Sequence, residues 1–259
     1  MSKIDFSLQS YKVSIITATY NSSNTIYETY LSLLNQTYTN WEWLVTDDCS
    51  TDNTLCILTE ISSADKRVKI FKNEFNSGAA VSRNKSLKQV TGGFIAFIDS
   101  DDLWTPYKLE GQILFMQSLK IDFCFTPFEL IDGNGKPTGR NVDFNNKHSF
   151  SYKDMLSKRA TLGCSTVVLR VKSGGLIQMP HLRTGQDYAT WLSILKEGQR
   201  AYLYNYIGTK YRILPNSISR NKIKKSFRQW EIYRDIERLS FMESCYYFIN
   251  YAYRAIFRR

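Results

Sequence analysis

The first half of the chain repeats one pattern four times. A short apolar, β-branched run gives way to a cluster of polar residues and then to a stretch with helical spacing. "KVSIITATY" (12–20) reads as a buried strand, and Asn21, Ser22, Ser23 and Asn24 after it are good helix starters, so a helix is expected to about Gln36. "WEWLVTD" (41–47) is the second strand, and "DCSTDNT" turns into a helix to about Ala64. "RVKIF" (67–71) and "GFIAFID" (93–99) are the third and fourth strands, followed by helices over 78–89 and 105–119, the latter with Pro106 near its first turn. Strand and helix in alternation mean an α/β fold, with a parallel sheet covered by helices on both faces. Such sheets bind ligands at the carboxyl ends of their strands.

Beyond Leu119 the pattern loosens. "IDFCFTPFEL" (121–130) reads as one strand, 131–148 as a turn-rich loop or hairpin, and 163–171 as another strand. A helix is expected over 185–198, a strand over 200–208, and two final helices over 226–243 and 245–258.

The strand ends carry unusual chemistry. The first ends at Ala18, Thr19, Tyr20 and Asn21, the second at Asp47 and Asp48, and the fourth at Asp99, Asp101 and Asp102. Carboxylates this close raise one another's pKa and resist ionising. Some have an ordinary use as helix caps: Asp48 or Ser50 for the second helix, Asp102 or Thr105 for the next element. The whole "DSDD" run behind five apolar residues asks for more than caps. Hard divalent ions take one or two carboxylates plus substrate phosphates, and the alternation of Asp99 and Asp101 lets both face one site.

Composition sets bounds. Of 259 residues, 43% are hydrophobic and 22% charged, as in a soluble globular protein whose core needs no disulfides. Cys49, Cys56, Cys124, Cys164 and Cys245 are odd in number, and none forms a CxxC pair. With only His148 and His181 beside them, no zinc cluster is spelled out, so reduced thiols are expected. The N-terminus lacks the apolar core of a signal peptide, and no window reaches the roughly 20 apolar residues of a membrane span, so a cytoplasmic location is expected. Net charge is +10, and residues 220–259 hold ten Lys/Arg against four Asp/Glu together with ten aromatics. Such a tail suits an anionic surface, either lipid headgroups or nucleic acid. "TATYNSS" has no glycine for a dinucleotide fingerprint, no P-loop occurs, and the acidic pair follows the fourth strand rather than the first, where an aspartyl phosphatase needs it.

"VSIITATYN", "NQTYTNWEWLVTDDCSTDNT", "NSGAAVSRNKSL" and "FIAFIDSDDLWTPYKL" stand in this order. Together they resemble the inverting, nucleotide-sugar-dependent glycosyltransferases of family 2, which have the GT-A fold. The resemblance is dense from Lys12 to about Leu119 and weaker to about Ser219. It implies a Rossmann-like, mostly parallel sheet flanked by helices, forming a catalytic domain over 1–219. The nucleotide half would cover about 11–119 and the acceptor half about 120–219, with a helical appendage over 220–259.

The resemblance also implies roles. Ala18 and Tyr20 would cradle the nucleotide base, and Asp48 would accept a hydrogen bond from it, with Asp47 an equal alternative. Arg83 would lie near the sugar-phosphate. Asp101 would ligate Mn²⁺ or Mg²⁺ directly, Asp99 would bind the ribose or assist the metal, and Asp102 would cap the next turn. Inverting transfer needs a carboxylate base for the acceptor hydroxyl. "TGQDYATW" offers Asp187, with Gln186 where relatives carry Glu and Trp191 one turn on. Asp187 as a plain helix cap is the structural alternative. In "YRILPNSIS", Arg212 would contact phosphate, and 215–219 would close over the diphosphate. The donor would be a UDP-sugar. The acceptor would be a saccharide on a lipid carrier in cell-surface polysaccharide or O-antigen synthesis. The tail is either a helical pair packed on the catalytic domain or a peripheral anchor at the cytoplasmic face of the inner membrane, and a helix can do both on different faces. The non-enzyme alternative is a protein that binds nucleic acid or a membrane surface through a non-catalytic α/β domain. Clustered aspartates at the ligand edge oppose polyanion binding there.

Overall fold

The computed structural model describes residues 11–171, 177–214 and 222–257. Its first half keeps the expected alternation: β1 (Val13–Thr19), α1 (Ile26–Leu34), β2 (Trp41–Asp47), α2 (Thr54–Ala64), β3 (Val68–Lys72), α3 (Ala79–Leu87) and β4 (Phe94–Phe97). These strands pair in parallel, in the order β3-β2-β1-β4. Side chains alternate across the sheet because the strand period is two. Val13, Ile15, Trp43, Val45, Phe94 and Ala96 pack to one side, with Leu33 of α1 and Leu58 of α2. Ile16, Leu44, Ile95 and Phe97 pack to the other, with Ala80 and Leu87 of α3. Each such side chain, fully buried, contributes about 1.5–3 kcal/mol.

The second half extends this sheet and adds another. After β5 (Leu103–Trp104) and α4 (Lys108–Leu119) come β6 (Phe123–Phe125), β7 (Phe128–Ile131), β8 (Pro137–Val142), β9 (Ser149–Phe150) and α5 (Tyr152–Leu156). Then follow β10 (Val167–Arg170), α6 (Gln186–Lys196), β11 (Ala201–Leu203), β12 (Thr209–Arg212), α7 (Lys222–Glu231) and α8 (Phe241–Phe257). Among the described residues the main sheet has eight strands, continuing β4-β10-β6-β11-β9, with β10 antiparallel to both its neighbours. A second sheet, β5-β12-β7-β8, crosses the carboxyl edge.

Several sequence expectations change here. The single strand expected over 121–130 is two strands in different sheets. Pro127, which has no backbone N–H to donate, stands between β6 and β7. The hairpin expected over 131–148 forms, turning at Gly135 with φ 80°. The strand expected over 200–208 is only β11, and Arg212 lies within β12 rather than after a strand.

The tail is built differently from the expected helix pair. α7 runs into a π-helical turn, Ile232–Ile236, and Arg238 adopts a left-handed φ of 54°. The second helix then starts at Phe241, four residues before its expected start at Cys245. Ser240 Oγ donates to Glu243 Oε2 at 2.7 Å and accepts from Glu243 N at 3.3 Å, a reciprocal cap. The boundary placed at 219–220 lies outside the described residues. Beyond it, Ile232 and Tyr233 are buried in the same core as Phe97 and Trp191.

At the opposite end of the sheet from the strand tips, Glu42 on β2 is buried and accepts from Ser14 Oγ at 2.7 Å, Lys12 Nζ at 2.8 Å, Lys69 Nζ at 2.9 Å and Thr91 Oγ1 at 2.7 Å. Burial alone pushes its carboxyl up, but the hydrogen bonds, from Lys12 first, outweigh it and hold the pKa down at about 2. A pKa depressed in the folded state gives stability that is full above the ordinary carboxyl range and is lost as pH falls through about 2. Glu42→Gln is expected to cost about 1–3 kcal/mol at neutral pH. It should also flatten the acid limb of denaturation below pH 4.5, the group's ordinary value, in urea melts run across that range.

Candidate active site

Three turns meet at the carboxyl edge of β1, β2 and β4. Asp48 N donates to Thr19 O at 2.8 Å, continuing the β1–β2 pairing past the strands. Asn21 takes a left-handed φ of 51°, which Asn tolerates; its N donates to Ser50 Oγ at 2.9 Å, and its Oδ1 accepts from Thr51 N at 2.8 Å. The hydroxyls of Ser22 and Ser100 lie 2.8 Å apart, and Thr25 Oγ1 donates to Ser100 O at 2.9 Å. These bonds clamp the end of β1 to the "DSD" turn. Ala18 is half-buried on β1, and Tyr20 beyond it is 48% exposed, a ring standing free at the edge.

Asp48 is not a cap of α2, whose cap residue is Asn53. Its Oδ1 accepts from Asn73 Nδ2 at 2.7 Å and Ser77 N at 2.8 Å, and its Oδ2 accepts from Gly78 N at 2.7 Å. Gly78 holds φ 87°, a conformation that needs glycine, so Asp48 fixes the entry to α3. Asp47 is wholly buried; its Oδ2 accepts from Ser50 N at 3.0 Å, while Oδ1 has no partner among the described residues.

α3 delivers Arg83 inward. The residue is only 6% exposed, and its Nη2 donates to Asp99 Oδ1 at 2.5 Å. Its Nε and Nη1 have no hydrogen-bond partner among the described residues. Buried donors of this kind are costly unless a ligand meets them. Burial opposes the charge, but Cys164, Asp99 and Asp187 around it raise its pKa, and it stays cationic.

The aspartate cluster divides by depth. Asp99 and Asp101 are half-buried, and Asp102 is fully buried. Burial first, and then Asp99, push Asp101 up to about 6, against the pull of Arg212 and Arg83. Asp102 does not cap the following turn. Its Oδ2 accepts from Ser165 Oγ at 2.5 Å and its Oδ1 from Arg212 N at 2.9 Å, so it ties the turn to β12 from inside. Burial pushes its carboxyl well up, with Asp101 and Asp99 adding to the effect.

Arg212 serves the same bracing. Its Nε donates to Asp101 O at 2.8 Å, Nη1 to Gly133 O at 2.9 Å and Nη2 to Glu28 Oε2 at 2.5 Å. With each guanidinium nitrogen engaged by the protein, the phosphate contact expected of Arg212 gives way to a structural strut behind the "DSD" turn. The loop expected to close over a diphosphate, 215–219, lies outside the described residues.

Asp187 comes from the far half of the chain. Gly185, with φ 73°, is the cap residue of α6, so Asp187 is the second helical residue rather than the cap. Burial raises its pKa, opposed by Arg83 and reinforced by Asp99. Trp191 is core: its ring meets Phe97 and Phe123 edge-on at 5.3 and 5.6 Å. Arg83, Asp99, Asp101 and Asp187 thus share one electrostatic neighbourhood.

The sequence pattern missed Cys164 and Ser165, which sit within the same cluster. Ser165 Oγ also accepts from Asp99 N at 3.0 Å. "GCST" carried no signal of this because it reads as the start of a strand, whereas residues 164–166 form a 3₁₀ turn before β10.

The donor set fits a hard divalent ion. The half-buried carboxylates of Asp99 and Asp101 stand in one turn, Asp99 raises the pKa of Asp101, and both offer oxygen alone. Among the described residues no group of three His, Cys, Asp or Glu forms a cage, so further ligands would have to come from substrate phosphates and water, as Mg²⁺ and Mn²⁺ ordinarily accept.

Residues 14–172 match the family model "Glycosyl transferase family 2". The putative teichuronic acid biosynthesis glycosyltransferase TuaG of Bacillus subtilis is 43% identical over 247 residues, covering 95% of this chain and 97% of its own. WfgD of Escherichia coli, a UDP-Glc:alpha-D-GlcNAc-diphosphoundecaprenol beta-1,3-glucosyltransferase, is 40% identical, covering 94% of this chain and 93% of its own. The fold is that of S. aureus TarS bound to UDP (TM-score 0.69, 23% identity, 94% of this chain and 71% of that one). It is also that of the mannosyltransferase PcManGT from Pyrobaculum calidifontis with GDP-Man and Mn²⁺ (TM-score 0.66, 16% identity, 88% and 64%).

Ser165→Ala is expected to leave Asp102 Oδ2 and Asp99 N without their shared partner, at a cost of about 1–3 kcal/mol in denaturant unfolding. Ser165→Thr, which keeps the hydroxyl, should recover part of that loss.

Proposed function

The chain belongs to glycosyl transferase family 2, and on that premise we propose that it moves a hexosyl unit from a UDP-sugar to a saccharide carried on a lipid diphosphate, with inversion at the anomeric carbon. The observation that carries this reading is the ion pair of Arg83 with Asp99 at 2.5 Å, with Asp101 and Asp187 both within its electrostatic reach. The activity that WfgD's name gives supports the donor, the lipid-linked acceptor and the β-linkage. The name of TuaG supports a place in cell-surface polysaccharide synthesis. Such an acceptor puts the enzyme at the cytoplasmic face of the membrane.

Asp101, assisted by Asp99, would hold Mn²⁺ or Mg²⁺, which when bound neutralises charge on the leaving diphosphate. Ala18 and Tyr20 border the slot for the base. Asp48, held by three protein donors, keeps one lone pair, on Oδ2, for the N–H of uracil, and Asp47 Oδ1, unpartnered among the described residues, is the alternative. Arg83 has two nitrogens free for the sugar-phosphate while the third steadies Asp99. Asp187 removes the proton from the acceptor hydroxyl as that oxygen attacks the anomeric carbon. The bond from that carbon to the nucleoside diphosphate breaks on the opposite side, so no sugar–enzyme bond forms. An α-linked donor gives a β-linked product. A carboxyl with a raised pKa is the better base for this work near neutrality. Choice of sugar falls to the segments 128–151 and 161–165.

The test is a screen of nucleotide-sugars for metal-dependent hydrolysis. UDP-hexoses should be cleaved, and a protein that neither hydrolyses nor is thermally stabilised by any donor with Mn²⁺ overturns the reading. Asp187→Asn should lower transfer by about 10²–10⁴-fold while donor affinity stays within about twofold. Collapse of donor affinity instead would remove Asp187 from the base role.

Protons and metal compete for Asp101. Above about pH 6 its carboxylate is free to bind, and below that the proton holds it. Mn²⁺ binding in the presence of UDP, followed by water proton relaxation, should weaken steadily below pH 6 and be lost in Asp101→Asn.

A further inference from the structure

α7, the π-helical turn and α8 have two unlike faces. The inner face belongs to the catalytic body. Ile232 and Tyr233 are buried in the main core, and Tyr233 Oη donates to Leu156 O at 2.5 Å. Glu237 accepts from Tyr152 Oη at 2.5 Å and from Lys196 Nζ at 3.1 Å. A Cβ on Gly185 would lie 3.1 Å from Ile232 Cδ1 and 3.6 Å from Arg228 Cγ, so the tail presses directly on the cap of the helix that carries Asp187. On α8, Ser244 is buried, Tyr247 meets Tyr233 at 6.2 Å, and Phe248 meets Trp230 at 5.5 Å.

The outer face is apolar and exposed. Met242, Tyr246, Ile249 and Tyr253 recur at i, i+4, i+7 and i+11, which puts them on one stripe of α8, and each is more than 60% exposed. Phe241 at the start of α8, and Ile223 and Phe227 one turn apart on α7, are exposed to a similar degree. Ionic side chains border this surface: Lys224 and Lys225 are exposed beside Ile223 and Phe227, and Arg254 is half-buried beside Tyr253. Over residues 220–259 the net charge is +6. No helix among the described residues is long and apolar enough to cross a membrane. At 17 residues α8 is roughly 25 Å long, suited to lying in the plane of an interface.

We infer that this outer face rests on an anionic bilayer, with Met242, Tyr246, Ile249 and Tyr253 at headgroup depth and the flanking Lys and Arg on lipid phosphates. Basic charge around an apolar, aromatic stripe selects an anionic lipid surface over a neutral one. The inference rests on the lipid-linked acceptor proposed above. That acceptor is fixed in a bilayer, so its saccharide has to be met from the membrane side. Because the inner face of the same helices abuts Gly185, the docking surface and Asp187 are held in one rigid relation.

The test uses the full chain, sedimented with vesicles of phosphatidylcholine with or without phosphatidylglycerol. The protein should partition onto the anionic vesicles and be released by salt. Met242→Gln, Tyr246→Gln and Ile249→Gln combined, with a good helix former at each site, should lower partition by about tenfold or more. Donor hydrolysis should stay at the wild-type rate, which shows that the fold is intact. Lys224→Gln with Lys225→Gln should remove part of the salt dependence. Equal binding by wild type and the triple variant overturns the proposal, and so does a wild-type dimer that the triple variant dissolves, because a second copy then covers the face. Absent vesicle binding with intact donor hydrolysis overturns the membrane face alone. Vesicle binding without hydrolysis of any donor upholds the face while the enzymatic reading falls.

Discussion

The ion pair between Arg83 and Asp99 decides how much negative charge the edge of the sheet can carry. Asp101, Asp102 and Asp187 each feel Asp99 there, in surroundings that water reaches only in part. Two unit charges about 4 Å apart interact by about 4 kcal/mol where the effective dielectric constant is about 20. The guanidinium groups of Arg83 and Arg212 do not balance four carboxylates. The molecule copes by letting burial raise Asp101, Asp102 and Asp187 toward their neutral forms. It also spends Asp102 on a bond to Ser165 and another to the backbone of Arg212.

The braces behind that edge explain why the second sheet exists. β12 brings Arg212 across the back of the "DSD" turn, where it reaches Asp101 O, Gly133 O and Glu28. These contacts join residues from α1, the β4 turn, the β7–β8 hairpin and β12. The tail plays the matching part for the other half of the site, pressing Ile232 and Arg228 against Gly185 at the start of α6. The residues that would act on a substrate are therefore held by elements distant in sequence, each with a buried partner.

Much of this was legible from the chain itself. The strands β1 to β4 and their helices follow from apolar periodicity, since local burial on one face fixes them. The edge residues Ala18, Tyr20, Asp48, Asp99 and Asp101 follow from the rule that parallel sheets bind at strand ends. Ser240-x-x-Glu243 was a readable capping box, overlooked because the aromatic run beyond it dominated the pattern. Pro127 likewise marked the break between β6 and β7. Arg212 and Asp102 were not readable, because a buried side chain's role depends on which partner meets it, and theirs lie 110 residues apart in sequence.

The sequence by itself determined the alternating architecture, the acidic edge, the basic aromatic tail and the motif order that marks the family. Those properties are local: each depends on period, composition or spacing within a short window. Only the tertiary structure decided that Asp187 comes within the electrostatic reach of Arg83, that Arg212 is a strut, and which faces of the tail are buried and which exposed. Those outcomes depend on packing across the chain, where one helix rotation or strand register sets which groups meet, and no short window of residues contains that information.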